Sequence, residues 1–334
     1  MSNSEYITEK RYFPSSDKGK KIYYEIYTKK DFQPKAVIQL VHGMCEYVRR
    51  YREFARFLND NGYLVVGNDH LGHGMTAAKL AEEKDGIIDP NKNKELGFIS
   101  ERNGWQHCLA DMHRLTRIMK KEYPDLPYFM FAHSMGSLLG RAYATSYPDE
   151  LDGVIFSGTG ALLGVEPQLM LYLQGIRKVK GSRFRPPITD MAMFGKYGIY
   201  NSKSGRDGGN WLNRNEDEVI KYNADAYCNF CFTVNGFENL VGVNYYVNRN
   251  KWFEEYPKEL PTYIISGSKD PVGDCGRGVL KVYNKLRLYD CDAEMKIYNG
   301  ARHELINELN KEEVYRDVLD FYEGIMSAKT EGEG

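Results

Sequence analysis

A serine, an aspartate and a histidine stand in that order along this chain, each just after a short apolar run. Together they have the chemistry of a nucleophile, an orienting acid and a general base. The serine is Ser134, in Tyr128-Phe129-Met130-Phe131-Ala132-His133-Ser134-Met135-Gly136. An apolar run reaches a small-x-Ser-x-Gly turn and continues into Ser137-Leu138-Leu139-Gly140, which reads as strand, sharp turn and helix. Such a turn strains the serine at its tip, and the small residues on either side let neighbouring backbone pass closely. Ala132 takes the first small position, where Gly is usual, and adds one methyl. A hydroxyl is a weak nucleophile near neutral pH, so it requires an imidazole base and a carboxylate that fixes the base's tautomer. Asp270 follows an apolar run in Ser266-Gly267-Ser268-Lys269-Asp270-Pro271, with Asp274 as a competitor on the same loop. His303 follows another in Asn299-Gly300-Ala301-Arg302-His303-Glu304.

A developing oxyanion needs backbone donors converging on one point. Met135, the residue after the serine, offers one N–H. The segment Val41-His42-Gly43-Met44 ends an early apolar run, and Gly43 permits a sharp turn that would bring in the Met44 N–H as the second.

These residues need a scaffold that gathers loops at one edge. Short apolar runs at 36–41, 63–67, 128–133, 151–157, 261–267 and 293–298 read as buried strands. Helical spacing separates them at 48–61, 105–122, 135–147 and 276–288, and a closing helix is expected over 312–326. Alternation of this kind predicts an α/β fold with a doubly wound, mostly parallel sheet, whose carboxyl edge opens where the candidate residues lie. The stretch 160–258 has helical segments without apolar strands and Gly- and Asn-rich turns around 201–210. It reads as an inserted helical cap, dividing the chain into a core from 1–159, a cap from 160–258 and a second core portion from 259–328. The polar stretch 79–95, with its Asp-Pro and Asn-Lys turn signals, reads as a surface loop, and the tail 329–334 as frayed.

Composition narrows the classes. A net charge of -1 with 27% charged residues gives no general pull toward nucleic acid. The start of the chain lacks the apolar core of a signal peptide, and no run approaches the roughly eighteen apolar residues of a membrane span, which points to a cytoplasmic protein. The 6 cysteines are scattered, as suits thiols in a reducing compartment. Cys228-Asn229-Phe230-Cys231 has no second pair or nearby histidine to complete a zinc set, so structural thiols are the reading. His107 and His113 fall within a helix as surface or packing residues. His42 and His133 flank backbone that must be held rigid and are expected to orient it. His70 and His73, beside Asp69, read as part of a structural turn, so no metal and no cofactor are expected.

The segments His42-Gly43-Met44, Asp69-His70-Leu71-Gly72-His73-Gly74, the serine turn, 266–271 and 300–304 resemble the α/β-hydrolase family that contains monoacylglycerol lipases and bacterial lysophospholipases of the serine-aminopeptidase-like group. The chain order Ser, Asp, His is the one expected of that fold. Within the cap, Asn210-Trp211-Leu212-Asn213-Arg214 and Tyr222-Asn223-Ala224-Asp225 through Thr233 are similar to the bacterial branch, with Asn213 where Ser is usual. The resemblance implies a Ser134, Asp270, His303 triad, an oxyanion hole from Met44 and Met135, and a cap admitting acyl chains. It implies hydrolysis of a monoacyl lipid, either a monoacylglycerol or a lysophospholipid, through an acyl-enzyme. A carboxylesterase for short esters and a ligand-binding sensor that has lost turnover are the alternatives. In the cap, Val165, Leu169, Leu173, Ile176 and Val179 recur at helical spacing beside Arg177, Lys178, Lys180, Arg183 and Arg185. The apolar stripe could cover the site while the cations face solvent, or the segment could meet a lipid surface.

Overall fold

The computed structural model describes residues 5–162, 164–186 and 211–332. Its strands are β1 (Tyr6–Pro14), β2 (Lys21–Lys29), β3 (Ala36–Val41), β4 (Tyr63–Asn68), β5 (Tyr128–His133), β6 (Gly153–Ser157), β7 (Thr262–Gly267) and β8 (Ala293–Tyr298). They form one sheet in the order β1-β2-β4-β3-β5-β6-β7-β8. All neighbours from β4 to β8 are parallel, while β1 pairs with β2, and β2 with β4, antiparallel. The α/β-hydrolase expectation is thus borne out.

Alternate strand residues feed two cores because both faces of the sheet are covered. One face buries Val37, Met130, Val154 and Ile264 against α3 (Gly104–Glu122), α4 (Met135–Ser146) and α9 (Arg277–Leu288). The other buries Ile38, Phe129, Phe131 and Ile265 against α1 (Arg52–Asp60) and α10 (Lys311–Gly332). Between β6 and β7 the chain builds α5 (Glu166–Lys180), α6 (Glu216–Ala224), α7 (Val234–Val247) and α8 (Asn250–Glu254). Helices α5 and α7 pack on each other, and α7 also meets α3 and α4. The turns expected around 201–210 lie outside the described residues.

The structure departs from the sequence reading in three places. The hairpin of β1 and β2 was not expected, because its apolar residues do not alternate with polar ones: Ile22, Tyr24 and Ile26 enter one core while Tyr23 and Tyr27 enter the other. The turn residues Asp17-Lys18-Gly19, with Gly19 at φ 83°, were the available signal. The supposed loop at 79–95 begins as a helix, α2 (Gly74–Asp85). The Asp69 carboxylate accepts from Met75 N–H at the start of α2, and Ala77 and Ala81 are buried on its inner face. The tail is helical to Gly332 and is tied down by an ion pair from Lys329 to Asp152. Among the described residues no helix is long and apolar enough to cross a membrane.

Small residues let α4 sit directly on the sheet. A Cβ on Gly136 would run into the Val41 and His42 carbonyls, and one on Gly140 would lie 2.8 Å from the Ala132 methyl. The extra methyl at the serine turn is therefore accommodated by the missing one at Gly140. Gly140→Val should cost about 1–3 kcal/mol through overpacking. Ala132→Gly should cost only about 0.5–1 kcal/mol. Urea denaturation of both variants checks this order.

Candidate active site

Strand β5 ends at His133 and α4 starts at Met135, which leaves Ser134 to make the whole turn. Its backbone sits at φ 55°, ψ -121°, a conformation L-residues rarely adopt. The turn is held because Ser134 N–H donates to the Ser157 carbonyl at 2.9 Å, and the Ser137 hydroxyl donates to the Ser134 carbonyl at 2.6 Å. His303 Nε2 lies 2.8 Å from Ser134 Oγ, and its Nδ1 lies 3.0 Å from both Asp270 carboxylate oxygens. Asp270 is fully buried; it also accepts from Ser266 Oγ at 3.1 Å and from Val272 N–H at 2.9 Å. The competing Asp274 faces outward in an ion pair with Arg277.

Met44 and Met135 line the same cavity as Ser134 and His303. Met135 is the first residue of α4, so its N–H has no intrahelical acceptor. The loop before Met44 is braced from below. His42 Nδ1 lies 2.8 Å from the Gly43 carbonyl, and its Nε2 accepts from His70 N–H at 2.9 Å, so His42 orients backbone. Gly43 N–H donates to the Glu46 carboxylate, which also accepts from Tyr51 Oη at 2.9 Å. Asp69 accepts from Val48 N–H at 2.9 Å and Arg49 Nε donates to buried Glu25 at 2.7 Å, fixing the far end of the loop. Burial first, then neighbouring imidazoles, push His42 well below the ordinary histidine range. Burial lowers His70 to about 3 and His73 to about 4. This cluster is therefore a neutral scaffold.

The cavity over Ser134 has a volume of about 420 Å³. Leu138 of α4, Leu169 of α5, and Leu240 and Val241 of α7 give it an apolar wall. Glu46, Asn223, Asn229 and Glu304 give it polar groups, and Trp211 lies 5.2 Å from the His303 ring. Sequence reasoning passed over Glu46, Arg50 and Glu304. Arg50 Nη2 donates to Glu304 at 2.6 Å, Asn213 Nδ2 donates to the other Glu304 oxygen at 3.0 Å, and Arg50 Nε lies 3.6 Å from Glu46. The adjacency of Glu304 to His303 was the one available clue. Cys228 lines the cavity, where burial pushes its thiol up and makes it a poor nucleophile.

The cations between Arg177 and Arg185 are not a uniform solvated face. Arg177 bonds Glu238 and Glu101, Arg183 bonds Glu95, and Arg185 donates to the Leu96 and Cys231 carbonyls. Lys178 and Lys180 remain exposed. The apolar positions divide too: Leu169 and Leu173 turn inward, whereas Val165 and Val179 are exposed.

Residues 32–310 match the sequence profile of the family described as serine aminopeptidase, S33. The chain is 29% identical over 287 residues to a monoglyceride lipase homolog of monkeypox virus, covering 86% of this chain and 87% of that one. It is 27% identical over 311 residues to a monoacylglycerol lipase of Mycolicibacterium smegmatis, covering 91% and 93%. Among solved structures, a thermostable carboxyl esterase from Bacillus coagulans in complex with glycerol superposes with a TM-score of 0.84 at 30% identity, covering 95% of this chain and 98% of that one.

Burial alone would lower the His303 pKa, but the charge and hydrogen bond of Asp270, helped by Glu304 and Glu46, raise it above the ordinary value. Only the neutral imidazole can accept a proton from Ser134, so nucleophilicity falls as pH drops through that raised pKa. Labelling of Ser134 by a fluorophosphonate across pH should show a midpoint above about 6.5. In Asp270→Asn, where burial is opposed only by Glu304 and Glu46, the midpoint should move down.

Proposed function

Since the chain belongs to the serine aminopeptidase S33 family of α/β-hydrolases and is a carboxylic ester hydrolase, we propose that it cleaves the ester of monoacyl lipids through a Ser134, His303, Asp270 triad. The observation that carries this is the unbroken hydrogen-bonded series from Asp270 through His303 to Ser134, opening onto a cavity with an apolar wall. His303 Nε2 takes the hydroxyl proton as Ser134 Oγ attacks the acyl carbonyl. The Met44 and Met135 amides hold the oxyanion, and Asp270 stabilises the imidazolium. Collapse of the intermediate breaks the ester bond, and His303 returns the proton to the leaving alcohol. Water, deprotonated by His303, then releases the fatty acid from Ser134. The core supplies the triad, and the insertion from 160–258 acts as the cap over it.

The polar groups of the cavity favour a neutral head group. The Arg50 guanidinium is taken up by Glu304 and stands beside Glu46, so among the described residues that line the cavity a phosphate would meet carboxylates and no unpaired cation. Glycerol hydroxyls can both donate to Glu46 and accept from Asn223 and Asn229, which makes a monoacylglycerol the better fit over a lysophospholipid. The esterase named among the solved structures keeps a short-ester role as the second reading.

The exposed side of α5 supports membrane contact through the cap. Leu171 (69% exposed), Tyr172 (44%) and Val179 (77%) stand outward together with Lys178 and Lys180. Such a face combines apolar insertion with attraction to anionic head groups.

Two experiments test these readings. Long-chain monoacylglycerol should be turned over faster than lysophosphatidylcholine, and Ser134→Ala or Asp270→Asn should cut the rate by about 10⁴-fold or more. Turnover confined to short p-nitrophenyl esters would instead make the protein a general carboxylesterase, and a protein inert to all of them would be a binding protein. For the cap, Leu171→Asp with Val179→Asp should abolish flotation with anionic liposomes, and Lys178→Gln with Lys180→Gln should weaken it in a salt-dependent way. Flotation unchanged in both pairs would rule this surface out.

A further inference from the structure

Arg141, on α4 about two turns beyond Ser134, is 0% exposed. Among the described residues no carboxylate acts on it; burial and Tyr256 are what bear on its charge. A buried cation without an anion is costly and persists where a fixed set of neutral acceptors surrounds it. Its Nη1 donates to the Gly160 carbonyl at 3.0 Å. Its Nη2 donates to the Val247 carbonyl at 2.6 Å and to Asn248 Oδ1 at 3.1 Å. The guanidinium also lies 4.5 Å from the Trp252 ring centre, while the Trp252 indole N–H donates to the Arg141 carbonyl at 3.0 Å.

These acceptors are not arbitrary. Gly160 is where the chain leaves β6 for the insertion, and Val247 and Asn248 are where α7 ends and the chain returns toward the core. One planar group thus grips both roots of the insertion from the helix that begins at the nucleophile. The contact continues outward. Asn248 Nδ2 donates to Asn244 Oδ1 at 3.0 Å, Asn244 Nδ2 donates to Glu166 Oε1 at 3.2 Å, and Glu166 Oε2 accepts from Gly164 N–H at 2.9 Å at the start of α5. Gly160, Glu166 and Asn244 all border the cavity, beside Leu240 and Val241 of its apolar wall.

We propose that Arg141 is a positioning residue for chain-length selectivity: through Gly160, Asn248, Asn244 and Glu166 it sets how far α5 and α7 stand from Ser134. The inference rests on the acyl-ester reading above. Lysine cannot replace it, because a single ammonium on a flexible stem does not present the parallel donors that reach both roots at once.

The test compares the unaltered protein with Arg141→Lys and Asn248→Ala. It measures kcat and KM for short- and long-chain monoacylglycerols, binding of a fluorescent long-chain fatty acid, and melting temperature. Arg141→Lys should raise KM for the long-chain ester about tenfold, equivalent to ~1.4 kcal/mol, and weaken the fatty-acid probe to match. Its kcat and its action on the short ester should stay within about twofold. Asn248→Ala should show the same pattern at about threefold, and decides the matter by itself if Arg141→Lys does not fold. A parallel loss on every substrate that follows a lower melting temperature overturns the proposal, as does an unchanged chain-length profile. If the unaltered protein hydrolyses none of these esters, the hydrolase reading fails, and the change in probe affinity still decides the role of Arg141.

Discussion

The constraint on which this structure depends is the backbone of Ser134, turned to φ 55° between a parallel strand and a helix. A non-glycine residue held there costs of the order of 1–3 kcal/mol and persists only when its surroundings over-determine it. They do so from every side. Ser157 receives its N–H, the Val41 and His42 carbonyls press on Gly136, and a Cβ on Gly43 would come within 2.9 Å of the Ser134 side chain. The first strands of the parallel sheet, the glycines of α4 and the loop after β3 are therefore conditions of one another.

The same logic extends to the polar interior. The loop carrying Met44 packs Met44 and Cys45 against the apolar cluster of Leu173, Phe232 and Phe237. Its backbone is held from the other side by buried carboxylates. Glu46 takes the Gly43 N–H, Asp69 takes those of Val48 and Met75, and Glu25 holds Arg49. Burial raises Asp69 to about 7 against the pull of its backbone donors, which shows how dry this support is. A network of that kind is rigid while every member is satisfied. It holds the cavity floor, while α5 and α7 across the cavity are joined by polar links such as Asn244 to Glu166.

What could be read before folding follows from how local each signal is. Ser134, Asp270 and His303 each sit at the end of an apolar run, so the loops that bear them were legible one at a time, and the structure brings all three into hydrogen-bond contact. The parallel strands were legible because six-residue runs such as Tyr128–His133 are buried throughout. The roles of Arg50, Glu304 and Arg141 were not, since a charge far from its partner in sequence looks like any surface charge. The hairpin escaped because Tyr23 and Tyr27 face one core while Tyr24 faces the other, blurring the alternation that usually marks a strand. The cations between Arg177 and Arg185 misled for the opposite reason: as a run they suggested solvent, yet their partners Glu95, Glu101 and Glu238 come from elsewhere in the chain.

The hydrogen bond between His303 and Ser134 joins residues 169 positions apart, with the whole insertion threaded between them. Closing so long a loop has to be met by chain entropy before any contact repays it. During synthesis the nucleophile turn can form once β5, α4 and β6 have emerged and Ser157 can take the Ser134 N–H, while its base is still unmade. The protein thus spends the growth of the insertion, β7 and β8 with a strained but unarmed serine. Reactivity arrives with the last tenth or so of the chain, when all eight strands of the sheet have been made.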